Sequence, residues 1–172
     1  MTPLKAVIAL ISLGLLSSCG PSYMGKMPVF SFASQTPHIT QVVVHKNERR
    51  LYLLSKGFVV KKYDLGLGTS PRGDKKIQGD GKTPEGMYYI DRKNPYSKYH
   101  LSLGISYPNY SDKFEARRLG KSPGGDIFIH GEDRKNNYAE RDWTAGCISV
   151  KNKDIEEIFA LVKVGTPIII RP

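Results

Sequence analysis

Cysteine is nearly absent from this chain: 172 residues hold two, Cys19 and Cys147, far apart. That scarcity leaves three readings for Cys147, namely a buried hydrophobe, half of a disulfide, or a nucleophile. Long apolar runs are scarce too. One exists, AVIALISLGLL, and it lies at the N-terminus. Acidic residues are outnumbered, 16 Asp and Glu against 26 Lys and Arg, for a formal charge of +10. The basic residues are scattered rather than blocked, so a solvated surface explains much of the charge. There is no internal repeat. The four histidines and two cysteines show no compact metal-ligand spacing, which counts against a zinc hydrolase built on His130, His100 and Cys147. A papain-like protease is disfavoured because there the cysteine precedes the histidine.

The N-terminal run carries one positive charge before it, Lys5, and is too short and too weakly flanked for an ordinary spanning helix. It ends in Leu16-Ser17-Ser18-Cys19, which resembles the bacterial lipobox, an aliphatic and two small residues before a lipidated cysteine. The resemblance implies a signal peptide over residues 1–18 and a lipid on Cys19. A lipidated sulfur cannot enter a disulfide, so Cys147 becomes the one free thiol in an oxidising compartment. Gly20 follows the cysteine where an Asp would resemble an inner-membrane retention signal, which favours the outer membrane. An exported protein meets anionic envelope polymers and lipid headgroups rather than nucleic acid. An ordinary signal peptide releasing a soluble protein is the rival reading.

Residues 19–37 are rich in Ser, Pro and Gly without periodicity and read as a tether. A single domain is expected over residues 38–172. Short β-prone runs, ITQVVVHK and RRLYLLSK, flank Asn47-Glu48 as a hairpin, and GFVVKKYDLGLG makes a third strand. After a long polar loop come MYYIDRK, HLSLGISYP, a short helical stretch SDKFEARRLG, then DIFIHG, CISV and a final TPIIIRP. Between the last two, Ile155, Ile158, Phe159 and Val162 share one face of a helix over 153–162, with Asn152 as its N-cap and Gly165 beyond its end. The fold class is therefore mainly β, mixed sheets forming a sandwich or barrel-like core, with one or two short helices.

Three segments carry chemistry: GDGKTPEG at 79–86, IFIHG at 127–131 and TAGCISV at 144–150. His130 ends an apolar strand, and the sixteen residues 131 to 146 separate it from Cys147. An ordinary thiol is only slightly ionised at neutral pH, so a nucleophilic one needs a neighbouring base. Small residues before the thiol let a carbonyl approach backbone N–H groups. Taken singly, Cys147 is more simply a buried thiol and His130 a structural imidazole. The arrangement changes that balance.

His130-Gly131, twelve residues, then Thr144-Ala145-Gly146-Cys147-Ile148 resembles the signature of the L,D-transpeptidase catalytic domain, the YkuD-type family of peptidoglycan enzymes. GDGKTPEGMY at 79–88 is similar to the family's upstream motif, and the likeness spans about residues 39–172. LGISYPN (103–109) and PGGDIFIHG (123–131) look like the branch whose enzymes act near the outer-membrane lipoprotein linkage. The resemblance implies that Cys147 is the nucleophile and His130 the general base and acid. Backbone N–H groups around Gly146 and Cys147, with Ala145 and Gly131 nearby, would form an oxyanion hole. The substrate would be a peptidoglycan stem peptide, an envelope lipoprotein joined to the wall being a further class. No cofactor and no metal are implied.

Many members have His where this chain has Ala145, and Arg or Asn where it has Ser149. The second departure leaves transfer and hydrolysis both open, and a non-catalytic envelope-binding lipoprotein is the remaining alternative. His100, Trp143, Thr144, Ser149 and Tyr107 are further substrate-contact candidates, each with a packing explanation beside it. Asp80, Lys82 and Glu85 sit among turn formers that already account for the motif's glycines and Pro84.

Overall fold

The computed structural model describes residues 36–132 and 141–172. The expected signal peptide, Cys19 and all but the last two residues of the tether lie outside the described residues. No helix among the described residues is long and apolar enough to cross a membrane.

The chain opens with β1 (Gln41–His45), β2 (Arg50–Ser55) and β3 (Phe58–Asp64), an antiparallel meander. Then come β4 (Gly86–Ser97), β5 (His100–Ile105), α1 (Tyr110–Arg118), β6 (Phe128–His130), β7 (Ile148–Ser149), α2 (Asn152–Leu161) and β8 (Pro167–Arg171). The sheet order is β3-β2-β1-β8-β4-β5-β6-β7, parallel only at β1–β8 and β6–β7. β4 is long enough to serve two partners, pairing β8 through Gly86–Tyr89 and β5 beyond Ile90. The run after β3 reaches the far end of this order. Gly66 exchanges both backbone hydrogen bonds with Ser149, at 2.8 and 2.9 Å, so the first and last strands are joined and the sheet closes on itself.

Alternation decides which side chains fill the interior. Val42 and Val44, Leu51 and Leu53, Ile168 and Ile170, Tyr88 and Ile90 all point inward and are buried. Leu103, Ile129 and Ile148 extend this core to the β5–β7 end. α2 lies on β5 and inserts Ile155 and Ile158, both fully buried, each contributing about 1.5–3 kcal/mol. The helix begins one residue earlier than its periodicity predicts, with Lys151 at the N-cap making no side-chain bond. Asn152, expected as the cap, does other work. Its Oδ1 accepts from the Glu132 N–H (2.9 Å), and its own N–H donates to Glu132 Oε2 (3.2 Å). α1 is capped at Asn109 by a reciprocal pair with Asp112, as a capping box requires.

Candidate active site

Three loops meet beneath Cys147, and glycines let them do so. Gly68 lies against the carbonyl of Gly81 and the Cα of Gly146. Gly146 itself has φ +135°, and a Cβ there would stand 2.5 Å from the carbonyl oxygen of Lys82. The first chemical segment thus forms the floor under the third. Two of its charged residues, Asp80 and Glu85, are held in ion pairs there. Asp80 accepts from the Lys75 ammonium (2.8 Å) and from the N–H groups of Lys76, Ile77 and Lys82. Burial, the largest single influence, raises its carboxyl pKa, but these bonds together bring it below the ordinary range. Glu85 pairs at 2.8 Å with Lys46, which is buried and also donates to the carbonyls of Gly73 and Thr83.

Asp142 holds the start of the thiol loop. Its carboxylate accepts from Arg49 through Nε and Nη2, the latter at 2.7 Å, and from the Leu67 N–H at 2.9 Å. Thr144 shapes the turn that follows: its hydroxyl donates to the Cys147 carbonyl (2.7 Å) and accepts from the Gly146 N–H (3.1 Å).

The parallel β6–β7 pair then fixes His130 and Cys147 relative to each other. His130 stands opposite Ser149 and Ile129 opposite Ile148, so Phe128 falls opposite Cys147. Side chains alternate across a strand, which puts His130 and Cys147 on one face, two residue positions apart along the pair. Both line a cleft of about 310 Å³, walled by Asn94, Ser97, Lys98 and Tyr99 of the β4–β5 hairpin and by Asp126 and Phe128. His130 Nδ1 lies 2.7 Å from the Gly131 carbonyl. A carbonyl only accepts, so Nδ1 carries the proton and Nε2 is the basic nitrogen. The Tyr99 ring stacks on the imidazole at 4.4 Å, and Trp143 meets it edge-on at 5.6 Å.

The thiol is half-buried, and its proton points at the Asp126 carbonyl, 3.5 Å away. Burial pushes the Cys147 thiol above the ordinary cysteine range. The Phe128 N–H aimed at the sulfur pulls it down, the Asp126 carboxylate pushes it up, and the Lys75 and Lys98 charges lower it.

Several expected contacts fall elsewhere. The N–H groups of Gly146 and Gly131 are engaged within the fold. The first is spent on Thr144, the second on the carbonyls of Tyr99 (3.0 Å) and Leu101 (3.2 Å). Among the described residues, no hydrogen bond engages the N–H of Ala145 or Cys147. His100 does not reach the cleft; its Nε2 pairs with Glu156 of α2 at 2.7 Å. Tyr107 is buried in the core, its hydroxyl donating to the Pro123 carbonyl, because the outward strand register it would need belongs to Ser106. Ser149 bonds Gly66 through its backbone and lines a separate hollow with Trp143, Glu132, Arg141 and Lys151. Trp143 thus stands between that hollow and the imidazole. Tyr99, Asp126 and Phe128 are cleft residues that sequence reading misses. Tyr99 is placed by a hairpin turn and Asp126 by a positive φ of 55°, neither of which leaves a periodic signal. Among the described residues, no group of three or more His, Cys, Asp or Glu side chains converges.

A closed mixed sheet with His130 ending β6 and Cys147 just before β7 is the domain the sequence resembled. The chain belongs to the L,D-transpeptidase catalytic domain family (YkuD), whose family model matches residues 39–170. It is 30% identical over 132 residues to the Escherichia coli protein named "Putative L,D-transpeptidase YafK", covering 70% of this chain and 46% of that one. The crystal structure of Pgp2, a helical cell shape determining protein of Campylobacter jejuni, matches with a TM-score of 0.62 and 30% identity, over 77% of this chain and 47% of that one. An L,D-transpeptidase from Xylanimonas cellulosilytica shares the fold at 13% identity, with a TM-score of 0.52 over 80% of this chain and 62% of that one. The chain spans about half the length of the curated relatives it matches.

Proposed function

We propose that this protein is a cysteine-dependent acyltransferase of peptidoglycan stem peptides. The observation that carries the reading is that His130, at the end of β6, and Cys147, just before its parallel partner β7, line one cleft. His130 Nε2 takes the thiol proton as Cys147 Sγ attacks the carbonyl at the L-centre of the third stem residue, a diamino acid. The tetrahedral oxyanion is met by the Cys147 and Ala145 N–H groups. The C–N bond to the terminal D-alanine then breaks, the imidazolium returns its proton to the leaving amine, and a thioester remains on Cys147. An acceptor amine next gives a proton to His130 and attacks the thioester carbon. The C–S bond breaks, the sulfur recovers its proton and the crosslink is made.

Water in place of the amine gives hydrolysis, and Ser149 keeps that reading open. It supplies no charge or side-chain amide two residues after the nucleophile and faces the β3 continuation instead. On that reading the enzyme trims stem peptides or releases a wall-bound lipoprotein. In both readings residues 1–18 direct export, Cys19 carries a lipid, residues 19–37 tether the domain, and the protein works in the cell envelope, held at the outer membrane.

The discriminating experiment is incubation with disaccharide-tetrapeptides and, separately, with sacculi carrying bound lipoprotein, with Cys147→Ala as control. Dimers joined between diamino acids mean transfer. Tripeptides or released lipoprotein without dimers mean hydrolysis. No Cys147-dependent change in either substrate would overturn the enzymatic reading.

A further inference from the structure

One wall of the cleft is rich in hydrogen-bond donors. β4 and β5 pair at Ser97 and His100, so Lys98 and Tyr99 form the hairpin tip, and Asn94, Ser97, Lys98 and Tyr99 all line the cleft. The tip is fixed in place. The Tyr99 carbonyl accepts from the Gly131 N–H at 3.0 Å, the Tyr99 ring stacks on His130 at 4.4 Å, and His100 pairs with Glu156 of α2 at 2.7 Å. Lys98 Nζ lies over the Tyr99 ring, 4.8 Å from its centroid. One ring thus contacts both the imidazole and the ammonium.

Among the described residues, no carboxylate pairs with Lys98, whereas Lys46, Lys61, Lys75 and Lys76 each have one. The one acid on the cleft wall, Asp126, already pairs with Arg92 at 3.1 Å. Asn94 Oδ1 accepts from the Tyr96 N–H (2.9 Å), and Ser97 Oγ accepts from the Tyr99 N–H (3.2 Å). Both side chains spend an acceptor inside the hairpin and keep their protons, on the Asn94 NH2 and the Ser97 hydroxyl, for a ligand. An ammonium beside an amide NH2 and a hydroxyl is a donor set for a carboxylate. Substrate entering the cleft strips water from the ammonium, and an opposite charge offsets that loss. The Lys98 charge is also felt at the reacting sulfur, whose pKa it lowers.

We infer that Lys98, with Asn94 and Ser97, binds a carboxylate of the donor stem peptide and so sets which peptides the cleft accepts. The inference rests on the stem-peptide reading of the same site. Two carboxylates lie near the bond that breaks: that of the terminal D-alanine and, where the diamino acid is a dicarboxylate, the one on its side chain. Binding the first makes the cleft selective for a free D-alanine terminus. Binding the second makes it selective for the diamino acid, whatever amine leaves.

The test compares the full chain with Lys98→Met and Lys98→Arg on three donors: the disaccharide-tetrapeptide, its D-alanine amide, and its amide at the diamino acid side chain. Lys98→Met is expected to raise KM about tenfold on the unmodified peptide, and Lys98→Arg to recover most of the loss. On one of the two amides, wild type should show a similarly raised KM that Lys98→Met does not raise further, which identifies the carboxylate. A KM that rises equally on all three donors overturns the inference. A second readout needs no turnover: alkylation of Cys147 by iodoacetate and by iodoacetamide, mapped by mass spectrometry. The two reagents differ in their carboxylate, so the ratio of their rates should fall several-fold in Lys98→Met and hold in Lys98→Arg. A fallen ratio with no stem peptide turned over by wild type keeps a carboxylate site and overturns the stem-peptide reading. Turnover with neither KM nor ratio responding to Lys98 keeps that reading and overturns the inference.

Discussion

The carbonyl oxygen of Lys82 occupies the space next to Gly146, 2.5 Å from where a Cβ would lie. This contact joins the upstream KTPEG segment to the thiol loop and explains why glycine precedes Cys147. Gly146→Ala meets both the backbone clash and a φ of +135°. It is expected to cost about 2–3 kcal/mol, read as a lowered denaturant midpoint, and to reduce turnover by more than the loss of folded protein explains.

Burial holds the Cys147 thiol above the ordinary range. Below its pKa the sulfur keeps its proton, so alkylation by iodoacetamide should rise about tenfold per pH unit from about pH 7 and level off only above the ~8.5 of a free thiol. A plateau already reached below about pH 7 would mean a standing thiolate–imidazolium pair. His130 would then not act as a base at the moment of attack.

Much of this was legible in the sequence. Alternation marked the strands, the Ile155–Ile158 spacing marked α2, and His-Gly and Gly-Cys marked the end of β6 and the approach to β7. What stayed hidden depended on partners distant in sequence. Asn152 looks like a cap until Glu132 is beside it. Tyr107 looks like a cleft wall until its hydroxyl is seen against Pro123 in the core. The acceptors that engage the glycine amides, the Thr144 hydroxyl and the Tyr99 carbonyl, leave no signal in the sequence. β4 runs further than MYYIDRK suggests because its polar second half is ordered by pairing with β5, not by burial.

Asp142 ties the thiol loop to Arg49 and to the Leu67 N–H. Asp142→Ala leaves a half-buried guanidinium and an N–H without this partner and is expected to cost about 2–3 kcal/mol. Thermal unfolding checks the stability term. Hydrogen exchange should show faster opening of residues 142–147 than of β1 and β8.

Tyr99 stacks on His130, while its carbonyl, which any residue would supply, holds Gly131. Tyr99→Phe should keep activity. Tyr99→Ala should lower kcat roughly tenfold, equivalent to about 1.4 kcal/mol, with KM little changed. An unchanged kcat would show that the ring does not position the imidazole.

The most direct measurement is intact-protein mass spectrometry of the enzyme quenched during reaction with disaccharide-tetrapeptide, followed by peptide mapping. The expected result is an adduct of the substrate less D-alanine, carried on Cys147, absent from Cys147→Ala and strongly reduced in His130→Ala. D-alanine release that continues in Cys147→Ala, or an adduct mapped to another residue, would contradict the thiol–imidazole mechanism.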